Sequence, residues 1–445
     1  SISMSTLKVN KIRDTSGSAD AITLDPNGGA VLAGVTTMTT ARVTSGIVTN
    51  TFIVGAGVTI SESGIEASGI GITCANINGT QIGGRRNLII NGAMNIAQRG
   101  TSSSSQGYQT VDRIITTGTG FDETPSQSQS DVASGTTPYT LGFRKAFKVT
   151  NGNQTSGAGA ADELGVRYSI EAQDVANSGW NYTSASSFIT LSFWVKSSVA
   201  QNFYGYLLSL DGTIQRYAFE TGALSANTWT KVTKTIPGNS NITIDNNNGE
   251  GFRIEWRLFA GTDFTDSGVS LNTWAAFASG TRTPDSPTGW YTTNDATWEL
   301  TGVQLEVGSE ATPFEHRSFG EEQKLCKRYF QIMPASLMNI RGSDSISYSN
   351  ASLQTTHVLP EPMRSTPTGS NATDGTSYVT MKYYSASYGS EQDYEAYFNI
   401  GIHAGTVRFN FAHNQSHNSG NSLGTTYTVS YTHLRAHETS GNRGC

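Results

Sequence analysis

The side chains of this chain best suited to holding a ligand are aromatic. A sugar stacks its C–H faces on an aromatic ring and offers its hydroxyls to polar side chains, so an aromatic residue that the core does not need is a marker for such a site. Strand parity supplies one. In "FITLSFWVKSS", Ile189, Leu191, Phe193 and Val195 share one face, and Trp194 lies on the other with Thr190, Ser192 and Lys196. Trp180 and Tyr182 lie in "SGWNYTS", and Trp290 and Tyr291 in "TGWYTTND", two stretches that read as loops. In "GFRIEWRLFAG", Glu255 and Arg257 project opposite Trp256 and are placed to bind hydroxyls or a charged sugar. Trp256 and Trp298 are assigned to the core. Replacing Trp194 or Trp290 by Ala is therefore expected to weaken sugar binding at less cost in stability than Trp256→Ala. The competing reading for each residue is ordinary packing, under a loop or across an interface between chains.

Other chemistry finds less support. No HExxH, P-loop or Rossmann glycine pattern occurs. The 35 acidic residues include many Asp/Glu pairs, but sequence does not show which two have the separation a glycosidase needs. His413 and His417 share helix-compatible metal spacing, yet they lie in a polar Asn/Ser/Gly stretch without a nearby carboxylate or cysteine. His433 and His437 repeat that spacing near the C-terminus. Cys74, Cys326 and Cys445 are odd in number and far apart, which argues against a disulfide framework or a zinc site. The expectation is a non-enzyme without cofactor or metal.

The elements that must position these residues are strands. Charged residues are 14% of the 445, and 48 are glycine. Such a composition suits short strands joined by tight turns. Strand-like text recurs around 140–149, 203–210, 216–220, 228–236 and 297–307. In "TWELTGVQLEVG" the apolar parity switches from Trp298 and Leu300 to Val303, Leu305 and Val307, as a bulge at Thr301-Gly302 would cause. Many strands with one apolar face and no alternating helices predict a β-sandwich. One helix is expected: Ser318-Phe-Gly-Glu321 has the capping-box pattern, with Leu325 and Tyr329 four apart on one face.

The fold class is therefore all-β, in five parts. Residues 1–85 are rich in Val, Ile, Thr, Gly and Ser, with Phe52 the only aromatic residue between Arg42 and Arg85. They read as a fibrous β-rich shaft whose small apolar residues are buried between chains, or as a flexible linker. Asp25-Pro-Asn-Gly-Gly29 is a hairpin signal. Residues 86–317 form a jelly-roll-type sandwich, 318–331 a connecting helix and 332–427 a C-terminal β-rich tip domain. Residues 428–445 form a separate tail. The net charge of −6 gives no support to nucleic-acid binding, and no apolar run approaches the roughly 20 residues of a membrane span. The N-terminus lacks the apolar core of a signal peptide, and Met4 is read as the start.

Three stretches resemble one family. "TLKVNKIRDTSGSADAITL" (6–24) is similar to the start of tail-fibre proteins of marine, cyanophage-type myoviruses. "NLIINGAMNIAQRGTS…GYQTVDRI" (87–114) resembles the opening of a carbohydrate-binding-module-like jelly roll found in such fibres. "TWELTGVQLEVGSEATPFEHRSFGEEQKLCKRYFQ" (297–331) resembles its close and the helix after it. The resemblance implies a virion protein made in the host cytoplasm, commonly a homotrimer, with other tail or baseplate proteins and a host surface glycan such as lipopolysaccharide as partners. Related modules often hold a structural calcium, but no position here is identifiable for one. The alternatives are a purely structural spacer (collar, whisker or proximal fibre), a fibre-borne polysaccharide depolymerase, for which regular β-helical repeats are lacking, and a bacterial adhesin, against which the missing signal peptide argues. "VSYTHLRAHET" (429–439) resembles one reading frame of a transposase sequencing adapter, so residues 428–445 are expected to be an artefact and the tip to be truncated.

Overall fold

The structure is a computed structural model that describes residues 86–331 and 360–365 with their side chains, and elsewhere the backbone of separate strands. The chain divides into two compact units, 1–74 and 75–445. In the first, β1 (Lys11–Arg13), β2 (Asp20–Leu24) and β3 (Ala30–Leu32) form one antiparallel sheet, and β4 (Thr51–Val54), β5 (Val58–Ser61) and β6 (Gly64–Ala67) another. The hairpin expected at Asp25–Gly29 is present, with Leu24 opposite Ala30 and Ile22 opposite Leu32. The expected burial of shaft residues between chains concerns side chains outside the described residues.

In the second unit, after the short hairpin of β7 (Asn76–Ile77) and β8 (Thr80–Gln81), two six-stranded sheets build a sandwich. The first sheet has the order β10 (Ile114–Thr119), β13 (Glu163–Glu171), β18 (Glu250–Ala260), β15 (Tyr204–Ser209), β16 (Gln215–Glu220), β19 (Trp274–Ala276). The second has the order β17 (Thr230–Pro237), β14 (Phe188–Ser197), β20 (Thr297–Val307), β12 (Lys145–Thr150), β11 (Ser126–Asp131), β9 (Ser102–Ser103). Neighbouring strands pair antiparallel, as the alternation of apolar and polar residues requires of sheets with one covered face. Val166, Tyr168 and Ile170 of β13 and Phe252, Ile254, Trp256 and Leu258 of β18 face Ile189, Leu191, Phe193 and Val195 of β14 across one core. Phe193 meets Trp256 edge to face, ring centroids 5.6 Å apart. Trp256 and Trp298 are buried there, as expected.

The expected bulge is also present. Ser192 pairs with Gln304 but Trp194 with Thr301, so Gly302 and Val303 together oppose Phe193. Gly302 has φ +62°, and a Cβ there would stand 2.7 Å from Phe143 Cζ and 3.1 Å from Trp194 Cδ1. Gly302→Ala combines left-handed backbone strain with overpacking. It is expected to cost about 2–3 kcal/mol, read as a shifted denaturation midpoint at unchanged m-value.

The capping box is formed in α1 (Phe319–Lys327). The Ser318 hydroxyl accepts from the Glu321 N–H, and the Glu321 side chain accepts from the Ser318 N–H. Leu325, Cys326 and Tyr329 pack against Ile90 and Ile96. Around this helix the chain closes on itself. Glu315 accepts from the N–H groups of Arg86 and Asn87, the latter at 2.8 Å. Asn87 Nδ2 donates to Val303 O at 3.1 Å, and the Leu88 N–H to Leu305 O at 2.9 Å. Arg317 donates to the carbonyls of Asn87 and Ile89 and pairs with Glu315 and Glu322. The two long motifs at 87–114 and 297–331 thus meet as a clasp joining the entry and exit of the sandwich. On the far side of the helix, Arg328 Nε and Nη2 donate to the buried Glu171 carboxylate, each at 2.8 Å.

Ten further strands between residues 330 and 436 form three small antiparallel sheets. Among them Thr432–Ala436 pairs with Phe330–Met333 and Pro367–Asn371. The His413/His417 pair, the His433/His437 side chains and the end of the adapter-like tail lie outside the described residues.

Candidate functional site

Trp194 lies on the outer face of the second sheet, as parity predicts, and is half-buried. Cross-strand register builds a patch around it. Trp194 pairs with Lys231 of β17 on one side and Thr301 of β20 on the other. Lys196, two residues on, pairs with Glu299 and places its Nζ 2.9 Å from Glu299 Oε1. The same Nζ stands 5.1 Å from the ring centroid of Trp229, the residue preceding β17. Both tryptophans rest on a small apolar layer of Ala93, Val132, Phe143 and Ala146, with Tyr139 and Phe314 beside them. This underlayer fixes the rings, so little side-chain entropy is left to lose on binding. The patch therefore offers two partly open indole rings, the half-buried Lys196 beside one of them and paired with the buried Glu299, and the exposed Lys231. Sequence parity places Lys196 on the face of Trp194 but does not bring Trp229, Lys231 and Glu299 to it. The signal for them was the pairing of "FWVKS" with "TWTKV", which sequence alone does not register.

The other loop aromatics are not where the sequence places them. Trp180 is 3% exposed, and Trp290 and Tyr291 are fully buried. The Trp180 indole N–H donates to the carbonyl of Ser187, just before β14, and its ring meets Phe252 edge to face at 5.9 Å. Tyr182 is half-buried against Trp180, at 6.3 Å. At the other end of β14, the Trp290 indole N–H donates to Thr297 O at 3.0 Å and its backbone N–H to Gln201 Oε1 at 2.7 Å. Tyr291 stacks on Phe259, centroids 4.3 Å apart. Asn151 Nδ2 donates to the carbonyls of Tyr291 and Thr293 and draws this loop inward. The two loops are plugs that close opposite ends of the sandwich, and the buried rings of Trp180, Trp290 and Tyr291 are not open to a ligand. Both stretches were read correctly as loops but wrongly as exposed, because a sandwich leaves apolar strand ends that need covering.

Glu255 and Arg257 lie together on the outer face of the first sheet, and both are buried. Arg167, Glu255 and Tyr206 form one register row across β13, β18 and β15. Arg167 Nε is 3.0 Å from Glu255 Oε1, and the Tyr206 hydroxyl donates to Glu255 Oε2 at 2.8 Å. Arg253 binds Glu250 at 2.6 Å and reaches Glu255 at 3.5 Å. Arg257 and Arg282 both donate to Glu163 Oε2, at 2.7 and 2.6 Å. Burial alone would raise the Glu255 carboxyl, but Arg257, Arg167 and Arg253 outweigh it and hold the group down at about 2. Burial, helped by Glu255, pushes the Tyr206 hydroxyl up to about 12. Segment 261–285 lies over this network. The Arg282 N–H donates to Phe264 O, and its guanidinium stands 4.5 Å from the Phe264 ring centroid. These groups were expected to be open to hydroxyls; the structure instead occupies them with one another.

No protein-family model matches the chain, and no curated protein matches it. Neighbours among solved structures include a phage tailspike domain and carbohydrate-binding modules. One is the enzymatically active domain of tailspike protein 4 of bacteriophage CBA120, at 10% identity and TM-score 0.26, covering 50% of this chain and 21% of that one. Another is the N-terminal cellulose-binding domain of Cellulomonas fimi β-1,4-glucanase C, at 11% identity and TM-score 0.24, covering 49% and 99%. A third is the family 11 carbohydrate-binding module of Clostridium thermocellum, at 12% identity and TM-score 0.22, covering 48% and 98%. At these scores the likeness carries no argument about function. Among the described residues no group of His, Cys, Asp and Glu could hold a metal ion, and no helix is long and apolar enough to cross a membrane.

Proposed function

We propose that the sandwich is a glycan-binding module through which a phage tail fibre attaches to a host surface glycan such as lipopolysaccharide. The observation that carries this reading is the pair of half-buried tryptophans, Trp194 and Trp229, flanking Lys196 and Glu299 on the outer face of the second sheet. Indole faces take the C–H surface of a sugar ring, and the ammonium groups of Lys196 and Lys231 take its hydroxyls. The rest of the reading comes from the resemblance of the long motifs. The chain is a virion component, a homotrimer joined to other tail or baseplate proteins, and it binds rather than cleaves. Three copies of a weak site give an avidity gain of roughly 10²–10⁴-fold where geometry permits. The full chain is tested on a glycan array and on intact host cells, with light scattering on the same preparation. The expected result is a trimer mass and binding that falls at least about tenfold in Trp194→Ala and Trp229→Ala, a loss near 1.4 kcal/mol. A trimer that binds no glycan and no cell would leave a structural spacer as the better reading. Wild-type affinity in both variants would remove the patch from it.

A further inference from the structure

Arg216 stands apart from the other arginines on the outer face of the first sheet. Its guanidinium is buried, with the residue 5% exposed, and no described carboxylate lies within ion-pair distance. Nη1 donates to the carbonyls of Thr281 and Arg282, at 2.5 and 3.0 Å, and Nε has no acceptor. Its neighbours do not supply the missing charge. The arginines beside it, Arg167, Arg253, Arg257 and Arg282, pair with Glu163, Glu250 and Glu255, and none of these carboxylates pairs with Arg216. Tyr206, the group beside Arg216, is pushed up to about 12 by burial and stays neutral at physiological pH. Three more buried nitrogens of the cluster, Arg282 Nε and Arg257 Nε and Nη1, also lack an acceptor. A buried cation without a counter-ion is costly, and folded proteins ordinarily compensate one with an anion.

We propose that the outer face of the first sheet around Arg216 binds a small oxoanion, a carboxylate or a sulfate, carried as a substituent on an acidic glycan. A planar guanidinium presents paired N–H donors whose spacing matches two oxygens of either group. At the solvent edge of the cluster the side chains of Arg167, Arg253 and Arg282 keep 19%, 14% and 15% exposure. The site is separate from the Trp194 patch, which lies on the other sheet. It rests on the glycan-binding reading only for the origin of its anion.

The test uses the full chain at fixed ionic strength, with thermal unfolding followed in sodium chloride, sodium sulfate and sodium glucuronate. A ligand that binds only the folded state raises the midpoint. Sulfate and glucuronate are expected to raise it above the chloride value, and Arg216→Met to abolish the rise while keeping the far-UV spectrum. Should Arg216→Met fail to fold, Arg216→Lys decides: it keeps the charge but not the paired donors, and the rise is expected to fall at least fivefold. Titration with sulfated, uronate and neutral oligosaccharides then separates the sources. At least tenfold tighter binding of either acidic oligosaccharide than of the free anion is expected. Equal binding of free anion and acidic oligosaccharide would overturn the glycan origin. Identical midpoints in all three salts, or a response that survives the Arg216 variants, would overturn the site and leave Arg216 as the residue that pins segment 261–285. Either failure leaves the Trp194 patch standing, since that is read by neutral-glycan binding in Trp194→Ala.

Discussion

Trp290→Ala is expected to destabilise the sandwich by about 3–5 kcal/mol, as much as Trp256→Ala. The ring is fully buried, meets Phe203 edge to face at 6.4 Å, and has its indole N–H bonded to Thr297. Truncation would open a cavity at the end of the core and leave the carbonyl of Thr297 short of a donor. Trp194→Ala should cost well under half as much, because that ring is half-buried on the outer face. Chemical denaturation of the three variants gives the ranking directly. A Trp290→Ala protein as stable as wild type would mean that the Gly289–Ala296 loop is a detachable cover and not part of the core.

Removing the charge of Glu255 should be comparably damaging. Glu255→Gln leaves Arg167, Arg253 and Arg257 facing one another without their shared carboxylate, and breaking a buried pair from one side costs about 3–5 kcal/mol. The same group makes stability depend on acid. Its folded-state value, about 2, lies below the ordinary 4.5, so its stabilisation is complete above about pH 4.5 and is lost as the pH falls toward 2. The shift corresponds to about 3 kcal/mol. Unfolding free energies measured across that window should converge for wild type and Glu255→Gln. Parallel curves that keep their separation down to pH 2 would show that the cluster is held together by something other than this carboxylate.

Local pattern carried much of this architecture. The alternation in β14 and β18 assigns Phe193 and Trp256 to the core, the parity switch in β20 locates the bulge at Gly302, and Ser318 with Glu321 marks the start of α1. Each rests on neighbours a few residues apart, which sequence displays. Burial of the loop aromatics does not. Trp180 and Trp290 are covered because residues more than fifty positions away, Phe252 and Phe203, pack against their rings, and Asn151, which draws in the second loop, lies 140 positions from Tyr291. The charged network has the same origin. Glu255 reads as an exposed strand residue until β13 and β15 bring Arg167 and Tyr206 to either side of it. The patch around Trp194 was half legible for the same reason, since Trp194 itself follows from parity but Trp229 and Glu299 follow from register.

The clasp between residues 86–92 and 303–322 has a consequence for inheritance. Because Glu315 and Arg317 hold the incoming and outgoing segments side by side, the sandwich occupies a detour that returns to its starting point. A domain whose ends adjoin tolerates excision and insertion, since neither flank must be rerouted. Recombination at the two borders would exchange the whole sandwich as a cassette within an otherwise unaltered polypeptide.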